Sequence, residues 1–454
     1  MSSHDSEPES DAESIASQSS PATPPFSPTN TPRPWYHISF RTIVLFLLPL
    51  FSLAGFYGTM VLADANGTFK SITALIDTKD PRFPGTDEKL LTRYTDVGWL
   101  DKQLTTLVTF FAPVVDMNQG ALSMFSIFGT GQFGAAWTLM VMESMRMGNS
   151  GRIVSFIGTF GLIIQNISYT VTVPIWLFIH LLTSPISKPF PGTHSNNILL
   201  ISPWDLLILP ASITLSFIVP TILMGLDFPS TVSTLTHQRF IALWQPFPLW
   251  TVLVHFVLKT TLQTLSNMFS STTKDDTSRA QSSLVTTYLS TAKHVYRFIL
   301  TLCLLTQLPI LILSLLSPSL IPSTFPTLST MSQQTPFTIY IPYLPLPSHK
   351  ISSLAEGVHT FLIWDVYIGS FAFLLWGVLL YRNAMTEKAG VDPKGSLLVY
   401  RELMVGEKIE GGMSWRKVLV KVGVWFVLAG PVGALTVLIW ERDMIVRQKV
   451  KKGI

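Results

Sequence analysis

Charge is scarce in this 454-residue chain: Asp, Glu, Lys and Arg together make up 13% of it, against roughly 25% in an ordinary soluble domain. That scarcity excludes a soluble enzyme of this size. Cysteine is scarcer still. Cys303 stands alone inside an apolar run, which excludes an intramolecular disulfide and a Cys-based metal site. Nucleotide and metal signatures are missing too. There is no Walker A sequence, so ATP-driven transport within this chain is not expected, and neither H-E-x-x-H nor Cys-x-x-Cys occurs. Aspartate-rich DDxxD or DxDD runs are absent; Asp275-Asp276, in a hydrophilic loop, comes closest, so metal-triggered departure of a diphosphate is not suggested. Gly129-x-Gly131-x-x-Gly134 matches the dinucleotide fingerprint by letter only, because it lies in an apolar segment without a preceding strand or a closing acid. Close helix packing by small residues explains it.

What is present is apolar length. Hydrophobic residues make up 48% of the chain and mean hydropathy is +0.41. Stretches of about 20 apolar residues, each able to cross a hydrocarbon core about 30 Å thick, recur at 43–63, 121–143, 153–183, 204–225, 240–263, 294–317, 357–381 and 417–440. The expected fold is therefore all-α, a polytopic transmembrane helical bundle with about eight crossings. Segment 153–183 is long for one crossing, about 46 Å as a straight helix; tilting, a surface start or a bend near Pro174 would accommodate it. Leu104–Val115, short and interrupted by Pro113, reads as re-entrant or interfacial.

Three regions follow. Residues 1–34 are rich in Ser, Pro and acids, lack a basic n-region and an apolar h-region, and read as a disordered tail. Residues 35–440 form the transmembrane domain, and 441–454 a basic tail. The first 40 residues contribute −4, leaving +8 for the remainder of a chain with net charge +4. Those positive charges flank apolar segments, as orientation in a bilayer requires, and leave no nucleic-acid footprint. With eight strictly alternating crossings the charged loops conflict: 146–152 and the C-terminal tail share one side, while the basic loops 64–103 and 382–416 share the other. The proline-rich loop 318–356 carries almost no charge and reads as an extended cover over the membrane surface.

Ionisable side chains within apolar segments are costly, so function is the first hypothesis for them. Asp365 lies eight residues past Gly357 with sixteen mostly apolar residues after it, and no end-of-helix role explains it, although an interhelical hydrogen bond would. Asp116 closes the short 104–115 segment and suits capping of the next helix. Glu143 and Arg146, three apart, can pair on one helix face. Asp205, in Ser202-Pro203-Trp204-Asp205, nearly completes a capping box. His255 and Lys259 share a helix face and would line a polar cavity or snorkel. Trp204 and Trp364 stand beside acids; interfacial aromatic belts account for many other tryptophans.

Met142-Glu143-Ser144-Met145-Arg146-Met147-Gly148-Asn149, Phe110-Phe111-Ala112-Pro113-Val114-Val115-Asp116, Ser202-Pro203-Trp204-Asp205-Leu206-Leu207-Ile208-Leu209-Pro210, Ile241-Ala242-Leu243-Trp244-Gln245 and Trp364-Asp365-Val366-Tyr367-Ile368-Gly369-Ser370 resemble a fungal family: the integral-membrane terpene cyclases of ascofuranone- and macrophorin-type meroterpenoid biosynthesis. The resemblance spans roughly residues 35–440. It implies a cyclase that protonates a terminal alkene or epoxide of a prenylated, farnesylated substrate without metal or cofactor. Such chemistry needs a carboxylic acid that keeps its proton near neutral pH, which apolar surroundings favour, and aromatic faces toward a water-free carbocation.

On this reading Asp365, Asp116, Glu143 and Asp205 are candidate catalytic acids converging on one cavity. Trp364, Trp204, Arg146 and Asn149 are candidate substrate-binding residues. The expected partners are a lipophilic prenylated small molecule and the lipid bilayer, with no nucleic acid, and the expected location is the endoplasmic reticulum membrane. The alternatives from other classes are an exporter of a lipophilic metabolite that uses the same acids as a proton relay, and a non-catalytic scaffold.

Overall fold

The computed structural model describes residues 39–188, 198–269, 277–316, 326–385 and 414–452, with 318 and 324 besides. The expectation of a disordered tail at 1–34 lies outside the described residues. Among these residues there are fourteen α-helices and no strands. They are α1 (Phe40–Asn66), α2 (Thr68–Ile76), α3 (Gly98–Val115), α4 (Ala121–Ser144), α5 (Ile157–Asn166), α6 (Tyr169–Thr183), α7 (Pro203–Met224), α8 (Thr234–Trp244), α9 (Phe247–Phe269), α10 (Thr277–Leu315), α11 (Pro326–Ser332), α12 (Pro336–Tyr340), α13 (Leu354–Met385) and α14 (Trp415–Lys452). Single π-helical turns, at Tyr57–Val61 and Thr214–Ile218, interrupt α1 and α7.

Five of these helices are long and apolar enough to cross a membrane, and six if α8 and α9, bent by 71° at Gln245-Pro246, count as one. The expected count of about eight is not confirmed, and in two of the apolar segments the chain folds back. Segment 153–183 is two antiparallel helices. Arg152, ahead of α5, donates to the carbonyl of Thr183 at the end of α6 (2.7 Å), and Trp176 reaches back to Val154. The chain breaks at Ile167-Ser168, where the Ser168 hydroxyl accepts from the Val171 N–H (3.3 Å) and caps α6. Pro174, the expected bend, sits inside α6.

Segment 417–440 folds back as well. Lys421 pairs with Glu441, although twenty residues of continuous helix would hold them about 30 Å apart. The reversal is at Gly430, whose φ of 72° lies in the left-handed region and whose position leaves no room for a Cβ, since the Gln132 side chain would lie 2.5 Å from it. Pro431 follows and has no N–H to donate. The Gln132 amide serves the two backbone groups freed by the turn, donating to the Ala429 carbonyl (3.0 Å) and accepting from the Val432 N–H (3.0 Å). Both arms pack on α13: Phe426 stacks on Phe371 in the first, and Leu435 abuts Gly377 in the second. Helix α14 thus enters and leaves on one side. Gln132→Leu is expected to orphan these buried groups and lower stability by about 1–3 kcal/mol, read from thermal unfolding in detergent. An unchanged midpoint would contradict this account of the turn.

Helix α4 fills the centre. It is buried almost all round, as expected of a helix enclosed by other helices, and Gly131 admits Thr306 of α10 so closely that a Cβ would lie 1.8 Å from its hydroxyl oxygen. Helices α5–α6 and α14 fold back as hairpins, so of the five long apolar helices α14 is the one that does not run straight across. Beyond residue 440, where a basic tail was expected to begin, α14 continues through Lys452 and buries Arg442 and Asp443.

Candidate active site

The hairpin tip between α5 and α6 forms one wall of a cavity of about 240 Å³; a dry apolar cavity of about 150 Å³ already accepts a benzene ring. The other walls come from α1–α4, the end of α7, Trp244 of α8 and the first half of α13. Several aromatic side chains line it. Phe111 and Trp244 have centroids 5.2 Å apart, Phe133 lies 6.5 Å from Trp244 and 5.5 Å from Tyr169, and Phe110 is edge-on to Phe361 at 5.2 Å. Among the described residues, Asp365 is the only Asp, Glu, Lys, Arg or His on the lining.

Asp365 is placed by two elements. Helix α13 brings it about 16 Å in from Leu354, and the first turn of α6 meets it there: the Thr170 N–H donates to its Oδ1 at 2.9 Å, with the Tyr169 N–H and the Ser168 side chain also interacting. No ion pair found among the described residues includes it. Gln165 lines the same cavity, and its amide nitrogen is buried without a partner.

The four carboxyls do not converge. Glu143 and Arg146 belong to a buried ionic cluster at the far end of α4. Arg146 pairs with Glu143 (2.6 Å) and Asp443 (3.0 Å), and Arg442 with the same two acids (3.2 and 2.9 Å). The Tyr296 and Tyr288 hydroxyls donate to Asp443 (2.7 and 3.0 Å), and His180, held by the Trp376 indole N–H (3.2 Å), stands 3.6 Å from Glu143. Asn149 donates to the Glu143 carbonyl at 2.8 Å. Two positive and two negative charges thus neutralise one another in the packed core, where an unpaired ion would be costly. Glu143, Arg146 and Asn149, expected at the site, thus belong to this cluster, and none of them lines the cavity around Asp365.

Asp205 is elsewhere again. Ser202 makes no side-chain cap bond; Asp205 instead pairs with Lys259 (2.7 Å) and His255 (3.2 Å), two residues on one face of α9, and His255 also bonds Ser212 at 3.1 Å. Asp116 organises the α3–α4 turn, accepting from the Asn118 N–H (3.0 Å) and side-chain amide (3.1 Å) and from the Gln119 side chain. The tryptophans beside the acids face away from the cavity as well. Trp364 packs on Gly58 of α1 with its indole N–H unpartnered, and Trp204 is 37% exposed. Consecutive helical residues point about 100° apart, so a neighbour in sequence is not a neighbour in the cavity. The residues the sequence left aside, Trp244, Phe133 and Tyr169, form the aromatic wall. Among the described residues no group of three or more His, Cys, Asp or Glu is placed to hold a metal ion.

Comparison with known proteins gives a consistent set. The CtvD domain family profile matches residues 43–447. Terpene cyclase ascI of Acremonium egyptiacum is 26% identical over 363 residues, covering 78% of this chain and 80% of its own. Terpene cyclase ctvD of Aspergillus terreus is 27% identical over 369 residues, covering 80% and 89%, and terpene cyclase penA of Penicillium crustosum is 29% identical over 293 residues, covering 64% and 72%. No solved structure matches.

Proposed function

Because the chain belongs to the CtvD domain family, we propose that it is a membrane-embedded terpene cyclase of the endoplasmic reticulum in which Asp365 protonates a terminal alkene or epoxide of a prenylated, farnesylated substrate and starts its cyclisation. The observation that carries this reading is a single carboxyl, with no ion-pair partner among the described residues, on a cavity wall of aromatic and aliphatic side chains interspersed with uncharged hydroxyls and amides. An acid has to deliver its proton to a weakly basic carbon or ether oxygen, and a neighbouring cation would hold it as the carboxylate.

The Thr170 N–H holds Oδ1 as an acceptor, and on this reading the carboxyl delivers its proton from its other oxygen. Transfer to the terminal alkene carbon, or to the epoxide oxygen with cleavage of its C–O bond, leaves a carbocation. Alkenes further along the chain attack in turn, each forming a C–C bond, and the last cation loses a proton, so the product is an isomer of the substrate. The faces of Trp244, Phe133 and Tyr169 offer electron density to the migrating positive charge. The cavity folds the chain and excludes water that would otherwise quench the cation. No metal or cofactor enters this chemistry.

Purified protein in detergent is expected to convert a farnesylated phenol, supplied as its terminal alkene or terminal epoxide, into a cyclic isomer detectable by chromatography and mass spectrometry. Recovery of both compounds unchanged, together with proton-gradient-dependent uptake by vesicles containing the protein, would replace this reading with that of an exporter.

A further inference from the structure

The α5–α6 hairpin does more than present Thr170 to Asp365. Helix α5 belongs to the outer layer of the bundle. Ile163 is 37% exposed and absent from the cavity lining, whereas Ile167, four residues later on the same helical face, is 43% exposed and does line the cavity, as does the exposed Asn166. The hairpin tip is therefore the edge at which the outer surface turns into the cavity wall. Met60 of α1 and Thr106 of α3, both half-buried, also line the cavity.

The depth of this edge is fixed from two sides. Asp365, bonded to the tip, is about 16 Å along α13 from Leu354, and Gly55, against which Thr170 packs, is about 22 Å along α1 from Phe40. The edge thus stands near mid-depth of a hydrocarbon core about 30 Å thick. Irregular backbone is tolerated at such depth where it is buried or lines a cavity, and the break is satisfied locally: the Ile167 N–H bonds the Ile163 carbonyl (2.9 Å) and the Asn166 side chain the Leu162 carbonyl (2.7 Å).

We infer that the cavity opens sideways into the bilayer at Asn166–Ile167, and that a prenyl chain slides through this mouth from the hydrocarbon with its terminus leading toward Asp365. This rests on the prenyl-substrate reading above, but its test reads occupancy and not turnover. The photoreactive amino acid p-benzoylphenylalanine is placed at Ile167, or at Asn166 should the first variant not yield monodisperse protein, and the full chain is reconstituted in phosphatidylcholine vesicles. Irradiation is expected to give acyl-chain adducts at this position, and farnesol, a free C15 prenyl alcohol, is expected to reduce them several-fold and to replace them with farnesol adducts. The same probe at Ile163 is expected to give acyl-chain adducts that farnesol leaves unchanged. Absence of acyl adducts at the tip, or adducts there that farnesol does not alter, would overturn the lateral mouth. Loss of cyclase activity with these adduct patterns intact would instead count against the catalytic reading alone.

Discussion

Asp365→Asn is expected to lower turnover by about 10² to 10⁴-fold, the usual contribution of a positioned general acid, while the protein still inserts and folds. The amide keeps the shape of the side chain, and its oxygen still accepts from the Thr170 N–H at the α6 tip, so the hairpin stays in place; what disappears is the acidic proton on the cavity side. Asp365→Glu keeps the proton but displaces it by one methylene, and is expected to retain part of the activity with an altered product mixture, because the site of protonation relative to the folded chain decides which ring closes first. The readout is product formation per folded protein, with folding checked by size-exclusion profile and thermal midpoint. Wild-type turnover by a well-folded Asp365→Asn protein would remove Asp365 from the chemistry.

The second large effect is on stability. Arg146→Met is expected to destabilise the bundle by about 3–5 kcal/mol, since it leaves Glu143 and Asp443 sharing Arg442 alone, with the Tyr288 hydroxyl deprived of the donor that reaches it at 2.9 Å. Thermal unfolding in detergent measures this. Adding Asp443→Asn restores charge balance and is expected to recover part of the loss, a non-additivity characteristic of residues in one network. Equal losses that simply add would mean that the charges are solvated independently. Either variant that folds is expected to keep its activity per folded molecule, because the cluster stands apart from the cavity.

How far the sequence spoke depends on the residue. Apolar length located the helical segments, and the depth of Asp365 within one of them already set it apart from caps and surface pairs. Length alone does not distinguish a crossing from a hairpin, however. The turns at Ile167-Ser168 and Gly430-Pro431 are short, and their identity is fixed by tertiary partners: Asp365 receiving an α6 N–H, and Gln132 satisfying Ala429 and Val432. With these two hairpins, eight strictly alternating crossings, the premise behind the conflict between the charged loops, no longer hold. Partners distant in sequence were likewise invisible. The shared face of His255 and Lys259 was legible, but not that Asp205 completes it, and Arg442 and Asp443 read as part of a basic tail because nothing local ties them to Glu143 and Arg146. Glycines at helix contacts were readable as packing, and Gly131 against Thr306 is that contact.

The central claim is that a proton from Asp365 initiates cyclisation inside the cavity, and the deuterium content of the product formed in heavy water tests it most directly. The Asp365 proton exchanges with solvent before each turnover. An alkene-terminated farnesylated substrate is therefore predicted to yield a cyclic isomer carrying one carbon-bound deuterium. An epoxide-terminated one is predicted to place the deuterium in the new hydroxyl, from which it washes out in ordinary water. Asp365→Asn is predicted to form neither product at a comparable rate. A cyclic product that acquires no carbon-bound deuterium from the alkene, or labelled products formed equally well by Asp365→Asn, would contradict the account.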